Sequence, residues 1–162
     1  MKKLIITVVC FGLTSICVAQ EISKNAIGLR LGDSRGFGAE VSYQRALLEK
    51  NRIEVNFGWR NGNDFDGVKF TGIFQWIWNI DGGFNWYAGP GIGFAAYQIE
   101  NPTGRDFKDS FAILSGNVGI EYNFDIPLLI SLDVRPELGL GEDLYDNDDL
   151  DFDVGIGVRY TF

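Results

Sequence analysis

Hydrophobic and polar residues alternate along almost the whole chain after residue 25. In the run 152–162, every even-numbered position is apolar or aromatic, while the odd-numbered positions hold Asp153, Arg159, Thr161 and two glycines. A period of two residues predicts β-strands, because successive side chains of a strand point to opposite faces. Eight such runs occur, at 26–31, 37–44, 52–60, 68–80, 84–95, 114–124, 128–140 and 152–162. No helical period competes with them, so the sequence predicts an all-β protein.

The connections between these runs alternate in length. Those after the second, fourth and sixth runs are short or compact, at 45–51, 81–83 and 125–127. Those after the third, fifth and seventh runs are longer and polar, at 61–67, 98–110 and 141–150, and the first, 33–35, is short. Short turns at one end and longer loops at the other end are typical of a transmembrane β-barrel.

Two barrel architectures share this alternation and differ in the face that looks inward. A soluble barrel encloses its apolar side chains, whereas a membrane barrel turns them to the lipid and fills its lumen with polar ones. Several runs reach the roughly 9–11 residues that a tilted strand needs to cross a bilayer. Aromatic residues also lie near run ends on the apolar face, as in the aromatic girdles of membrane barrels. They are Trp59, Trp76, Trp78, Phe84, Trp86, Tyr122, Phe124, Tyr160 and Phe162.

The polar face is rich in glycine and balanced in charge. Small residues fit the narrow interior of an eight-stranded barrel. The glycines are Gly28, Gly38, Gly58, Gly89, Gly91, Gly93, Gly119, Gly139, Gly155 and Gly157. The charged residues are Arg30, Arg52, Arg60, Lys69, Arg135 and Arg159 against Glu40, Glu54, Glu121, Asp133, Glu137 and Asp153. Because buried charges have to be paired, we predict a lumen charge network inside an eight-stranded antiparallel up-and-down transmembrane β-barrel.

The first nineteen residues predict a cleaved signal peptide, which leaves the barrel domain at 20–162. Lys2 and Lys3 precede the apolar stretch 4–13, and Cys17-Val18-Ala19 supplies small residues for cleavage. Cys17 as a lipoprotein acceptor is the alternative, which Ile16 disfavours because a small residue is expected there.

Removing 1–19 takes away both cysteines and two lysines, which leaves 12 basic and 22 acidic residues and a formal net charge of −10. Such a chain is a poor ligand for nucleic acid. It also has no histidine, the commonest general base, so we expect no catalytic residue, cofactor or metal site. The acidic stretch 141–151 could hold a divalent cation such as Ca²⁺, although the EF-hand pattern fails because its sixth position lacks glycine. A solvated external loop is the simpler interpretation.

Three stretches carry a family resemblance: NWYAGPGIGFAAY at 85–97, GNVGIEYNFDIPLLISLDVRPELGL at 116–140 and VGIGVRYTF at 154–162. They resemble the small eight-stranded outer-membrane barrels of Gram-negative bacteria, of the outer-membrane protein X and A transmembrane type, most of all the Bacteroidetes forms. In that family, a last strand that ends in an aromatic residue resembles the signal read by the barrel-assembly machinery. The resemblance implies that Gly157, Tyr160 and Phe162 belong to this signal. Gly155 departs from the polar residue that usually opens this motif.

The resemblance implies a non-enzymatic monomer in the cell outer membrane, in contact with membrane lipid and lipopolysaccharide. Its expected role is envelope structure or surface interaction through external loops. A narrow, porin-like channel or a carrier for a small hydrophobic ligand is the alternative, and a secreted soluble binding barrel is a third, weaker one.

Overall fold

The chain forms eight β-strands and no other extended element in the described residues. The computed structural model describes residues 22–34, 37–61, 65–99, 107–140 and 150–162. The strands are β1 Asn25–Ser34, β2 Phe37–Leu48, β3 Asn51–Asn61, β4 Phe65–Asp81, β5 Phe84–Ile99, β6 Phe107–Asn123, β7 Leu128–Leu140 and β8 Asp151–Thr161. The predicted signal peptide lies outside the described residues, as does 141–149 of the acidic stretch. This part of the chain contains no helix long and apolar enough to cross a membrane.

Each strand pairs antiparallel with its neighbours in sequence, and β1 also pairs with β8, so the sheet closes into a barrel. Ile27 on β1 is in register with Tyr160 on β8, and backbone bonds join Asn25 and Phe162 in both directions at 3.0 and 2.9 Å. The predicted eight-stranded up-and-down barrel is therefore confirmed.

The barrel is apolar outside and polar inside, which is the inverse of a soluble protein. Among the described residues, 20 buried side chains are polar or charged and eight are apolar. Large apolar side chains stand on the outer wall instead, such as Ile92 at 70% exposure and Phe152 at 60%. This distribution is that of a transmembrane barrel, and it contradicts the soluble alternative.

Strands β4, β5 and β6 are longer than the alternation predicts. The sequence placed a loop at 98–110, but Gln98 pairs with Lys108 and Ile99 with Phe107. β4 likewise starts at Phe65 rather than at 68. The pairing continues past the apolar band, where outward positions such as Asp66 and Gln98 are polar, so hydrophobic alternation no longer marks the strand.

The two ends of the barrel differ in their connections and aromatic residues. We call the end with the β2–β3, β4–β5 and β6–β7 connections the turn end, and the other the loop end. At the turn end, Gly82 has φ of +49° in the β4–β5 turn, and the Asn79 side chain donates a hydrogen bond to its carbonyl at 2.9 Å. Trp78 and Trp86 stack near this turn at 4.2 Å between ring centroids. At the loop end, Phe57 and Trp59 stack at 6.0 Å.

Candidate functional site

The lumen charge network is the candidate site. Eleven of its twelve residues have described side chains, and all eleven are buried inside the barrel. The Arg60 side chain lies outside the described part. The inward position of each residue follows from strand parity, because residues two apart on one strand share a face.

Arg30 on β1 is the centre of the network. Its Nη2 lies 2.6 Å from Oδ1 of Asp133 on β7, and its Nη1 lies 2.6 Å from Oδ2 of Asp153 on β8. Nε also donates to Asp133 at 3.0 Å, so the guanidinium binds that carboxylate with two nitrogens. Glu40 on β2 lies 3.6 Å away. One fully buried cation therefore joins four strands, and its fork geometry fits this role better than an ammonium would.

Toward the loop end, the network continues through Arg135. Its Nη1 donates to Glu40 at 3.0 Å and lies 3.9 Å from Glu137. Glu137 also accepts hydrogen bonds from Lys69 on β4, across the lumen, with each carboxylate oxygen 2.7 Å from Nζ. The Lys69–Glu137 pair lies toward the loop end of the lumen, at the level where Glu137 is in register with Asp151 at the start of β8.

On the turn side of Arg30, the network centres on Glu54 of β3. Arg159 Nη2 donates to Glu54 at 3.2 Å, and Gln44 donates to it at 2.6 Å. Arg159 uses its remaining nitrogens on Ser42 at 2.9 Å and Ser131 at 2.8 Å. Every nitrogen of this buried guanidinium thus has an acceptor, as burial of a charge requires.

Arg52 and Glu121 form the layer nearest to the turn end. Their closest atoms, Nη2 and Oε2, are 2.6 Å apart, and Arg52 Nε donates to Gln75 at 2.5 Å. The Arg52 guanidinium also lies 4.8 Å from the centroid of the buried Tyr87 ring. Asn85 donates to the other oxygen of Glu121 at 3.4 Å, which extends the polar contacts toward the β4–β5 turn.

Neutral amides and hydroxyls connect these layers, and the sequence reasoning did not include them. Gln75 donates to Asn117 at 2.8 Å, and Asn117 donates to Asp133 at 3.3 Å. They could have been identified from the sequence as polar residues at the lumen-facing positions of the predicted strands. Because of them, one continuous chain of polar contacts runs from Glu121 at the turn end to Lys69 at the loop end.

Inward glycines provide the space for the bulky cations. A Cβ at Gly155 would collide with the Arg30 guanidinium, and one at Gly157 would collide with that of Arg159. A Cβ at Gly119 would meet the Tyr87 ring. Since interiors are close-packed, these glycines define the shape into which the network fits.

The ion pairs tie together strands of the barrel wall, including strands on opposite sides of the lumen. The described lumen side chains comprise five cations and six carboxylates, and each carboxylate has a cation or a hydrogen-bond donor within 3.4 Å. Within the described ranges, no group of three or more His, Cys, Asp or Glu side chains could hold a metal ion. Among the described lumen groups, Nε and Nη2 of Arg135 are buried without a hydrogen-bond acceptor, so its guanidinium is less completely satisfied than that of Arg159.

The three residues of the expected assembly signal lie on β8 and just after it. Gly157 faces the lumen, whereas Tyr160 and Phe162 face outward, with their rings 6.1 Å apart and stacked. They stand at the turn end, where β8 closes onto β1.

Comparisons with known proteins identify the fold. No protein-family model and no curated protein sequence matches the chain. Among solved structures, it is similar to the N-terminal β-barrel domain of OprF from Pseudomonas aeruginosa, with a TM-score of 0.69 and 14% identity over 86% of this chain and 98% of that one. It is also similar to Neisserial surface protein A, with a TM-score of 0.62 and 13% identity over 85% and 94%.

A third similar structure is Ail, the attachment invasion locus protein of Yersinia pestis, with a TM-score of 0.53 and 17% identity over 86% of this chain and 97% of that one. Ail is an outer membrane protein whose backbone structure is also known in a phospholipid bilayer nanodisc. At these identities the likeness establishes a shared small β-barrel fold.

Proposed function

We propose that this chain is a non-enzymatic, integral outer-membrane β-barrel with a filled polar lumen. The single observation that carries the proposal is the inverted distribution of polarity around the continuous lumen network. Apolar side chains cover the outer wall, while ion pairs from Glu121 to Lys69 occupy the interior. Only a lipid environment makes this distribution favourable. The outer membrane location of Ail, which shares the fold, supports the choice of membrane.

The role that follows is envelope structure or surface interaction through the loop-end connections. The direct partners are then outer-membrane lipid and lipopolysaccharide, with the barrel-assembly machinery acting during insertion. The closed sheet leaves no free strand edge to pair with a second copy, which supports a monomer. The absence of histidine from the whole sequence supports a non-enzymatic role.

A narrow channel is the competing function, and the lumen contacts argue against it. An ion crossing the barrel would have to break the buried pairs of Arg30 and of Lys69 in turn, and breaking buried pairs is costly. Eight-stranded barrels have interiors that side chains can fill.

Two measurements test the proposal. The chain without residues 1–19, refolded in detergent, is expected to migrate differently before and after boiling on a denaturing gel, and the exported protein should fractionate with the outer membrane. Recovery in the soluble periplasmic fraction would contradict the membrane assignment. In planar bilayers, we expect no steady conductance, and reproducible openings of constant size would favour the channel instead.

A further inference from the structure

The outer wall carries very little charge. Among strand residues whose side chains the structure describes, the outward positions carry two charged residues, Arg45 near the end of β2 and Asp66 near the start of β4. On the lipid face of a barrel, arginine costs about 2–4 kcal/mol at mid-membrane and about 0–1 kcal/mol near the interface. Arg45 therefore marks the level of the interface at the turn end.

Neighbouring side chains hold Arg45 in place. Oδ1 of Asn25 accepts hydrogen bonds from Arg45 Nη1 at 3.2 Å and from the Tyr43 hydroxyl at 2.9 Å. The Asn25 amide nitrogen in turn donates to the Phe162 carbonyl at 3.4 Å. Within the described part of the chain, the other N–H groups of Arg45 have no acceptor, and the side chain is exposed. The guanidinium is thus oriented while most of its donors stay open.

A second cation stands beside this group. The Lys24 carbonyl accepts a hydrogen bond from the backbone of Ala46 at 2.9 Å, so the Lys24 backbone lies opposite the residue that follows Arg45, at the rim of the barrel. Lys24 is exposed and borders an open cavity of about 380 Å³, which Thr161 and Phe162 also line. Of the acidic residues at this end, Asp81 ends β4 and Asp125 lies in the β6–β7 connection, away from β1 and β2, whereas Glu49 lies with Lys50 in the β2–β3 turn. The β1–β2 side of the turn end therefore carries the exposed cations Lys24, Arg45 and Lys50 against the carboxylate of Glu49, which leaves it net positive.

We propose that Arg45, Tyr43, Asn25 and Lys24 form a binding site for the phosphate of an anionic phospholipid in the leaflet at the turn end. The inference rests on the proposed membrane function. The open guanidinium donors match the geometry of phosphate oxygens, Asn25 and Tyr43 fix their direction, and Lys24 adds a second positive charge. Exposed cations of this kind attract anionic lipid at a membrane surface.

Native mass spectrometry of the protein released from nanodiscs tests the site. The discs contain equal amounts of anionic phosphatidylglycerol and zwitterionic phosphatidylcholine. We expect the parent protein to retain phosphatidylglycerol preferentially, and Arg45→Gln to lower that preference about fivefold, the factor expected for one surface cation. Arg45→Gln combined with Lys24→Gln is expected to abolish it.

Lys50→Gln is the matched control, because it removes the same charge at the same end, in the β2–β3 turn. We expect this variant to retain the lipid preference of the parent. Unchanged retention in Arg45→Gln, or an equal loss in Lys50→Gln, would overturn the site while leaving the membrane barrel intact. A parent protein that fails to insert into the discs would overturn the proposed function, and the site with it. The gel shift on boiling separates these two results for every variant.

Discussion

Individual glycines and arginines in the lumen depend on each other. The guanidinium of Arg30 occupies the space that a side chain at Gly155 would need, and Arg159 does the same at Gly157. The sequence predicted that inward glycines make room for bulky neighbours. It could not predict which neighbour fills which gap, because partners such as Arg30 and Asp153 are 123 positions apart and meet through the register of the closed sheet.

Gly155→Ala is expected to destabilise the barrel by about 1–3 kcal/mol, since overpacking forces the buried Arg30 out of its position. Denaturant unfolding in detergent micelles, followed by the gel shift on boiling, measures the effect. Gly72→Ala is the matched control, because Gly72 faces outward and a Cβ there meets nothing within 4 Å. Equal stabilities of the two variants would contradict the packing role of Gly155.

Arg30→Met is expected to cost about 3–5 kcal/mol of unfolding free energy, because Asp133 and Asp153 then remain buried without their main cation. The same unfolding measurement applies. Adding Asp133→Asn and Asp153→Asn removes the unpaired charges and should recover much of the loss. A single variant as stable as the parent, or a triple variant weaker than the single one, would show that the ion pairs do not stabilise the lumen.

The strands could be predicted from the sequence wherever one of their faces contacts lipid. Alternation identified all eight strands, because every membrane-facing position within the apolar band is hydrophobic or small. Alternation missed the loop-end extensions of β4, β5 and β6, because outward residues there, such as Gln98, lie beyond the apolar band. Backbone pairing continues through these extensions, and backbone hydrogen bonding leaves no trace in hydropathy.

A substitution at the end of the chain's last strand tests the expected assembly signal. We expect Phe162→Ala to lower the amount of protein inserted in the outer membrane several-fold without lowering its synthesis, because the resemblance places Phe162 in the segment that the assembly machinery binds. Quantitative blotting of membrane and total fractions measures this. Phe152→Ala is the control, since both side chains face outward and are 60% exposed. Equal insertion of the two variants would remove the assignment.

The molecule as a whole is electrically asymmetric. The lumen is close to neutral, so the formal net charge of −8 for the full sequence comes mainly from outside it. The loop-end connection 141–151 alone has six acidic residues and no basic one. At the turn end, the β1–β2 side has Lys24, Arg45 and Lys50 against Glu49, and is net positive. Composition alone cannot show this difference in charge between the two ends. It becomes visible only when alternate connections are assigned to opposite ends of a closed sheet.

The direction of insertion follows from that asymmetry and from the connection lengths. Short turns are typical of the periplasmic end of such barrels and longer polar loops of the external end. The sequence has no cysteine after residue 19, so single cysteines can report each end. We expect a membrane-impermeant maleimide to label Thr103→Cys, between β5 and β6, on intact cells. It should label Asp125→Cys, in the β6–β7 turn, only after the outer membrane is permeabilised. Labelling in the reverse order would mean that the acidic loop end faces the periplasm, and the surface-interaction role would then fail with the orientation.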